Sequence, residues 1–245
     1  MKMTKVEAIR KLMEDNDGSI TWEMIYNNIE KYYPAAKSSK EWQAGLRGVL
    51  YRELGKRFKK IGLGIYALVD FKEEKVEEIS DQTPQRIHSI MQGICLEIGN
   101  FLNLDTYTAD PTAKYNNLAL GNLATLRTVP SFTYDEILDS TKRIDVLWFN
   151  KKGYQFPKRA MEIVDSIGTL EPALKRNLQL IEFNLDFYII GRREHKAKIE
   201  KEMNREPYIR VKDRYKVKDY DEIIELYKNP IAHQNNEFLK VESYY

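Results

Sequence analysis

The stretch RIDVLWFNKKGYQFPKRAMEIV, residues 143–164, holds two short apolar segments, each interrupted by one acidic residue. Alternation of side chains over residues 143–149 and 159–164 predicts two β-strands, and the Asn-Lys-Lys-Gly sequence after the first predicts a turn. Asp145 lies in the first strand and Glu162 in the second. The segment therefore predicts a sheet in which two carboxylates lie among apolar side chains.

These two acids need a positive partner. A carboxylate without a partner is costly to bury, and two carboxylates on neighbouring strands repel each other. A divalent cation with oxygen ligands would remove both problems, and Mg²⁺ is the usual candidate. An ion pair with a nearby arginine, such as Arg143 or Arg159, would also remove them. From the strands alone both alternatives stay open.

Further periodic segments flank the two strands. Apolar residues at helical spacing predict a strong helix over Gln85–Leu104. Glu97 lies beside its apolar stripe, either as a solvated flank or as a group that reaches into a pocket. Residues 166–183 predict a loop and then a helix, and an apolar strand follows over Asp186–Gly191.

This order of helix, hairpin strands, crossover helix and strand resembles the core of the PD-(D/E)XK nucleases over residues 85–227. The segments GICLEIGNFLNLDTYTADP, RIDVLWFN, AMEIVDS and ALKRNLQLIEFNLDFYIIG carry the resemblance. It implies that Asp145 and Glu162 bind the catalytic metal together with the backbone carbonyl of Ile163. It also implies that Glu97 is the acid on the first core helix that borders the metal site.

One position departs from that family. Val164 occupies the place of the lysine that orients the attacking water. Relatives in this branch carry a basic residue and a glutamine on the following helix, and Arg176 and Gln179 match them. The resemblance implies that Gln179, with Arg176, replaces part of the lysine's role. The alternatives are that both are ordinary surface residues, or that the nuclease is inactive.

Residues 1–70 predict a separate unit. Three amphipathic helices precede a β-hairpin over residues 58–70, which is the order of a winged helix. The stretch from Met3 to Val69 resembles the HARE-HTH domain, a winged helix attached to chromatin factors and to bacterial restriction enzymes. The segment RFKKIGLGIYALVD is its most specific part. A small helical domain that binds protein instead of DNA is the alternative.

The third helix, predicted from Lys40 to about Phe58, is the expected groove reader, because Arg and Gln make bidentate bonds to base edges. A basic alternating strand is predicted over residues 208–217, in a region with eleven Lys and Arg against five Asp and Glu from residue 192 to 218. Such clusters attract phosphates, although a solvated surface explains this region equally well. The predicted DNA-binding residues are Lys40, Gln43, Arg47, Arg52, Lys59, Lys60, Arg210, Lys212 and Arg214.

The predicted organisation is a winged-helix domain of residues 1–70, a charged linker of residues 71–84 and an endonuclease domain of residues 85–245. The expected fold class is α+β or α/β, with a mixed central sheet flanked by helices. Cys95 is the single cysteine, which excludes an internal disulfide and multi-cysteine zinc sites. The three histidines, His88, His195 and His233, show no metal-ligand spacing and are expected to be bystanders.

Together these features predict a type II restriction endonuclease, a Mg²⁺-dependent, sequence-specific hydrolase of double-stranded DNA. Its expected partners are the DNA, a cognate DNA methyltransferase as functional companion, and a second copy in a homodimer. With no signal-peptide pattern and no membrane span in the sequence, it is expected in the bacterial cytoplasm. The alternatives are a non-catalytic winged-helix regulator with a degenerate nuclease fold and a structure-specific repair nuclease.

Overall fold

The N-terminal unit consists of three helices and a small antiparallel sheet, in a computed structural model that describes residues 3–74 and 82–241. Its elements are α1 (Lys5–Glu14), β1 (Ser19–Thr21), α2 (Trp22–Asn28), α3 (Trp42–Arg52), β2 (Phe58–Lys60) and β3 (Ile65–Leu68). The strand order is β1-β3-β2, with both pairs antiparallel. The Thr21 side chain caps α2 by accepting from the backbone N–H of Met24. The predicted helix order and hairpin are therefore present.

The third helix is shorter than the range predicted from Lys40 to Phe58. It ends at Arg52, because Gly55 has φ 77° and turns the chain out of the helix, so that Phe58 starts β2. Its first residue, Trp42, follows Glu41, which makes no side-chain cap. Ser38 and Ser39, although they precede the helix and are residue types that cap helices, do not cap it.

The rest of the described chain folds around a five-stranded mixed sheet. Its elements are α4 (Pro84–Phe101), β4 (Asp105–Thr108), β5 (Lys114–Tyr115), β6 (Leu118–Ala119), α5 (Leu120–Leu123), α6 (Asp135–Thr141), β7 (Val146–Phe149), β8 (Pro157–Val164), α7 (Leu170–Leu178), β9 (Asp186–Gly191), α8 (Lys196–Met203), β10 (Tyr215–Asp219) and α9 (Tyr220–Lys228). The sheet order is β10-β9-β8-β7-β4. Strands β4, β7 and β8 pair antiparallel, whereas β8, β9 and β10 pair parallel. Strand β9 has the predicted bounds.

Helices cover both faces of this sheet. Because side chains alternate along a strand, Trp148 and Ile163 pack against α4 and α9 on one face. Leu147 and Phe187 pack against α7 and α8 on the other face. The Trp148 indole N–H donates to the carbonyl of Cys95 at 3.1 Å and ties β7 to α4. The predicted mixed sheet flanked by helices is confirmed.

The predicted linker of residues 71–84 is described only at its two ends, because residues 75–81 lie outside the described residues. At the first end, the Glu74 N–H donates to the Asn116 side chain at 2.9 Å. At the second end, Thr83 caps α4. Residues 1–2 and 242–245, at the ends of the two predicted domains, also lie outside the described residues. In the described ranges, no helix has the length and apolarity that crossing a membrane requires.

The basic strand predicted over residues 208–217 is wrong. Residues Tyr208–Arg214 form a 3-10 segment, and β10 begins only at Tyr215. The Arg214 guanidinium donates to the backbone carbonyls of Ile181, at 3.0 Å, and of Phe183 and Leu185. These bonds hold the segment against the chain that follows α7. Arg210 pairs instead with Glu206, and Lys212 with Asn204, so the predicted basic face does not exist.

We expect Arg214 to be a stabilising residue. Arg214→Gln should lower the free energy of unfolding by about 2 kcal/mol or more, because it leaves carbonyl groups without their charged donor. Arg210→Gln is the matched control. Its ion pair with Glu206 is exposed and spaced i,i+4, so its loss should cost less than about 0.5 kcal/mol. Urea unfolding of the three proteins tests this, and equal midpoints would contradict it.

Candidate active site

A cavity of about 290 Å³ opens where β7 begins and β8 ends. Its walls come from α4, both strands, and the loop and helix that follow β8. The lining residues are His88, Asp145, Glu162, Ile163, Val164, Asp165, Gly168, Thr169, Pro172, Ala173 and Arg176. The structure therefore brings together four of the residues that the sequence singled out: Asp145, Glu162, Ile163 and Arg176.

The two predicted acids meet across the β7–β8 hairpin. Strand β7 begins at Val146, so the strand predicted from residue 143 is too long at its start and Asp145 lies just before β7. The antiparallel register pairs Val146 with Met161, which places Asp145 next to Glu162 of β8. One oxygen of Asp145 accepts a hydrogen bond from the backbone N–H of Ile163 at 2.8 Å. This bond fixes the Asp145 carboxylate against the neighbouring strand.

Glu162 is almost completely buried, at 1% exposure. Its oxygens accept hydrogen bonds from Nε and Nη2 of Arg176 at 2.8 and 2.5 Å. Burial raises the pKa of Glu162 to about 8; Arg176 opposes this shift, and the charge of Asp145 adds to it. The positive partner of Glu162 is therefore Arg176 on α7.

The arginines suggested by the sequence have other places. Arg159 donates to Asp186 at 2.5 Å and to the backbone carbonyls of Glu237 and Lys240. Arg143 is exposed. The ion-pair alternative therefore holds for Glu162 with a different arginine, because the crossover helix supplies Arg176 from further along the chain.

His88 lies between two carboxylates of the site. Its Nε2 is 3.4 Å from Asp145 and its Nδ1 is 3.1 Å from Asp165. Burial alone lowers the pKa of His88, but its bonds to Asp145 and Asp165 outweigh burial and raise the pKa to about 10. The expectation that all histidines are bystanders is therefore wrong for His88.

Gln92 and Tyr220 complete this network. The amide nitrogen of Gln92 lies 3.0 Å from His88 Nε2 and 3.4 Å from Asp145. The Tyr220 hydroxyl donates to Asp165 at 2.5 Å. A sequence signal for the His88–Gln92 pair existed: both residues are polar and they lie four residues apart on α4, so they share one face.

Two residues assigned to the site by resemblance lie elsewhere. Gln179 follows the last residue of α7 as its C-cap and is exposed, without lining the cavity. Glu97 comes nine residues after His88 on α4, which is two and a half turns and therefore the opposite face. Its carboxylate accepts from the Gly64 N–H and the Tyr227 hydroxyl, away from the cavity.

The remaining predicted DNA-binding residues lie in the N-terminal unit. Lys40, Gln43, Arg52 and Lys60 are exposed. Arg47 is half-buried and donates to the Tyr26 hydroxyl at 2.9 Å. Lys59 is half-buried and lies 3.7 Å from Glu73. Their use in DNA binding stays a prediction.

The residues that form this cavity lie in a part of the chain that matches the model of a known protein family. The model of the type II restriction enzyme NmeDI C-terminal domain matches residues 69–241, which is more than half of the chain. The chain belongs to this family. No curated protein matched the sequence. The match supports the predicted type II restriction enzyme, while the HARE-HTH and PD-(D/E)XK assignments stay predictions.

The cavity of this restriction-enzyme domain offers oxygen donors to a cation. Within residues 3–74 and 82–241, no three or more His, Cys, Asp or Glu side chains group together as a metal site. The cavity is instead lined by two carboxylates, of Asp145 and Glu162, next to the backbone of Ile163. Such oxygen donors suit Mg²⁺.

The raised pKa of His88 predicts a pH-dependent contribution to stability. The pKa moves from 6.5 in the unfolded chain to about 10 in the folded protein. Protonated His88 therefore stabilises the fold fully below pH 6.5, and this contribution disappears as the pH rises towards 10. In EDTA, the stability difference between wild type and His88→Asn should shrink from pH 6.5 to 9.5. Urea unfolding at several pH values measures it, and a constant or growing difference would contradict the network.

Proposed function

We propose that the protein is a type II restriction endonuclease that hydrolyses phosphodiester bonds of double-stranded DNA. One observation carries the proposal. Asp145 and Glu162 face each other in a cavity that also holds Arg176, within the part of the chain that belongs to a restriction-enzyme family. Paired carboxylates next to an arginine suit a reaction in which negative charge develops on a phosphate.

Mg²⁺ is the proposed cofactor, held by Asp145, Glu162 and the Ile163 carbonyl. When bound, it would supply a water of lowered pKa and stabilise the charge on the phosphate. Arg176 already bonds both oxygens of Glu162. If a cation were held at Glu162, Arg176 would lose part of this ion pair, and its guanidinium could then neutralise a phosphate oxygen.

Other residues of the cavity position these groups. Val164 is buried and apolar, so it cannot donate to a water as the lysine at this position of the PD-(D/E)XK nucleases does. His88 and Gln92 instead place their nitrogens next to Asp145. We propose that they hold the Asp145 carboxylate in place, together with the N–H of Ile163.

We also propose that the N-terminal unit binds DNA as a winged helix. Its three helices and the strand order β1-β3-β2 support this assignment. Helix α3 carries exposed Gln43 and Arg52, and exposed Lys40 precedes it. These side chain types read base edges or bind phosphates.

Two further partners follow from this function. A symmetric homodimer would match a palindromic target, because protein symmetry then mirrors the symmetry of the site. A cognate DNA methyltransferase would modify the same sequence and protect the host DNA. Both follow from the proposed function rather than from a contact in the structure.

The first test is cleavage of phage DNA. Wild type with Mg²⁺ should produce discrete fragments, and Asp145→Asn should slow cleavage at least about 100-fold, because it removes one negative ligand from the site. EDTA should abolish cleavage. Asp139→Asn is the matched control, since Asp139 is exposed and pairs only with Lys142 among the described contacts. It should cleave like wild type.

The other outcomes select other functions. A smear that needs Mg²⁺ and Asp145 would favour a repair nuclease over a restriction enzyme. Retained DNA binding without any cleavage would favour the non-catalytic regulator, with Val164 as the sign of an inactive site. Fragments that persist in Asp145→Asn would contradict the assignment of this cavity.

A second comparison tests which residue of α7 takes part. Arg176→Lys keeps a positive charge but loses the two-bond contact to Glu162, so cleavage should slow about 10- to 100-fold. Gln179→Ala should stay within about twofold of wild type, because Gln179 is exposed and outside the cavity. Single-turnover cleavage measures both rates. Slower cleavage by Gln179→Ala than by Arg176→Lys would contradict this expectation and support the catalytic role that the resemblance gives to Gln179.

A further inference from the structure

Glu97 is a buried carboxylate that does not line the cavity of Asp145 and Glu162. It is 1% exposed and lies on the face of α4 opposite His88. Burial raises its pKa, while hydrogen bonds from Gly64 and Tyr227 oppose the rise. A buried acid of this kind is costly unless donors surround it. The hydrogen-bond donors around Glu97 therefore indicate which parts of the molecule it connects.

Those donors come from two different parts of the molecule. One oxygen accepts from the Gly64 N–H at 2.8 Å, in the loop that joins β2 to β3 of the N-terminal unit. The other accepts from the Tyr227 hydroxyl on α9 at 2.6 Å. The Tyr115 hydroxyl donates in turn to Tyr227 at 3.0 Å. Glu97 thus joins the β2–β3 loop to the core through one carboxylate.

The loop packs tightly over this carboxylate. A Cβ atom at Gly62 would lie 2.3 Å from a Glu97 oxygen, so only glycine fits there. Ile61 and Leu63 pack against the core cluster of the sheet, and Ile65 of β3 belongs to it. The tip of the predicted wing is therefore docked on the core and is not free to lie on DNA.

A second contact joins the same two parts. The Ser19 hydroxyl donates to the backbone carbonyl of Asn116 at 2.7 Å, and it is buried. Lys114 lies 3.3 Å from Asp17. The Glu97 contact alone would let the N-terminal unit pivot. Together with the contacts of Ser19 and Asp17, it fixes the orientation of this unit relative to the cavity.

We propose that Glu97 is a positioning residue that determines where the DNA is cut, because it locks the β2–β3 loop onto α4 and so sets the distance from α3 to the cavity. This inference rests on the proposed function. If α3 reads the DNA sequence, a fixed distance selects one phosphodiester bond. Each base along a strand spans about 3.4 Å, so a pivot of a few ångström shifts the cut by one position.

The test compares variants that break the lock from either side. Glu97→Ala removes the acceptor from α4, and Gly62→Ala pushes the loop away while leaving Glu97 intact. Glu97→Gln keeps an acceptor for the Gly64 N–H. Gly64→Ala is the matched loop control, since nothing lies within 4 Å of a Cβ there and its N–H remains. If Glu97→Ala fails to fold, Gly62→Ala still tests the proposal.

Hydrogen exchange of a peptide that spans residues 61–66 measures the docking without any DNA. Exchange should speed up at least about tenfold in Glu97→Ala and Gly62→Ala, and it should stay near wild type in Glu97→Gln and Gly64→Ala. Sequencing of cleaved ends measures the function. Glu97→Ala and Gly62→Ala should cut at the wild-type target but spread their ends over several neighbouring positions. Glu97→Gln and Gly64→Ala should keep a single cutting position.

Two results would overturn the proposal. Unchanged exchange in both Glu97→Ala and Gly62→Ala would show that Glu97 does not hold the loop. Faster exchange with an unchanged single cutting position would show that docking does not set the cleavage site. Failure of the proposed function itself is distinguishable, because wild type would then give a smear or no cleavage, whereas hydrogen exchange would still measure whether Glu97 holds the loop.

Discussion

Two carboxylates that face each other across the β7–β8 hairpin impose the main constraint on this structure. Asp145 lies at the start of β7 and Glu162 near the end of β8, among apolar side chains, and their charges need more donors than the strands provide. Arg176 supplies two hydrogen bonds to Glu162 from α7, and His88 approaches Asp145 from α4. One charged cluster therefore binds the helices of both layers to the sheet.

The topology of the sheet explains how these groups meet. Strand β8 pairs antiparallel with β7 on one side and parallel with β9 on the other. The hairpin brings the two acids together directly. The parallel pair requires a crossover, and α7 lies in that crossover. Arg176 is consequently carried back over the end of β8, where Glu162 needs it.

Helix α4 connects the cavity to the N-terminal unit. One of its faces presents His88 and Gln92 to Asp145, and the opposite face presents Glu97 to the β2–β3 loop. Between them, the Cys95 carbonyl accepts from the Trp148 indole of the sheet. A rigid helix of five turns with two polar faces can transmit a fixed geometry from one unit to the other.

The sequence by itself determined the hairpin strands, β9, the long helix α4 and the presence of one acid in or next to each hairpin strand, because alternation and helical spacing are local properties. It did not determine their partners. Arg176 lies 14 residues from Glu162, and His88 lies 77 residues from Asp165, so only packing brings them together. The resemblance misplaced Glu97 at the metal site, and alternation misplaced the basic strand of residues 208–217, because neither signal shows what a side chain contacts in the folded chain. Tertiary structure alone decided those contacts, because burial and hydrogen-bond demand are satisfied by groups close in space rather than in sequence.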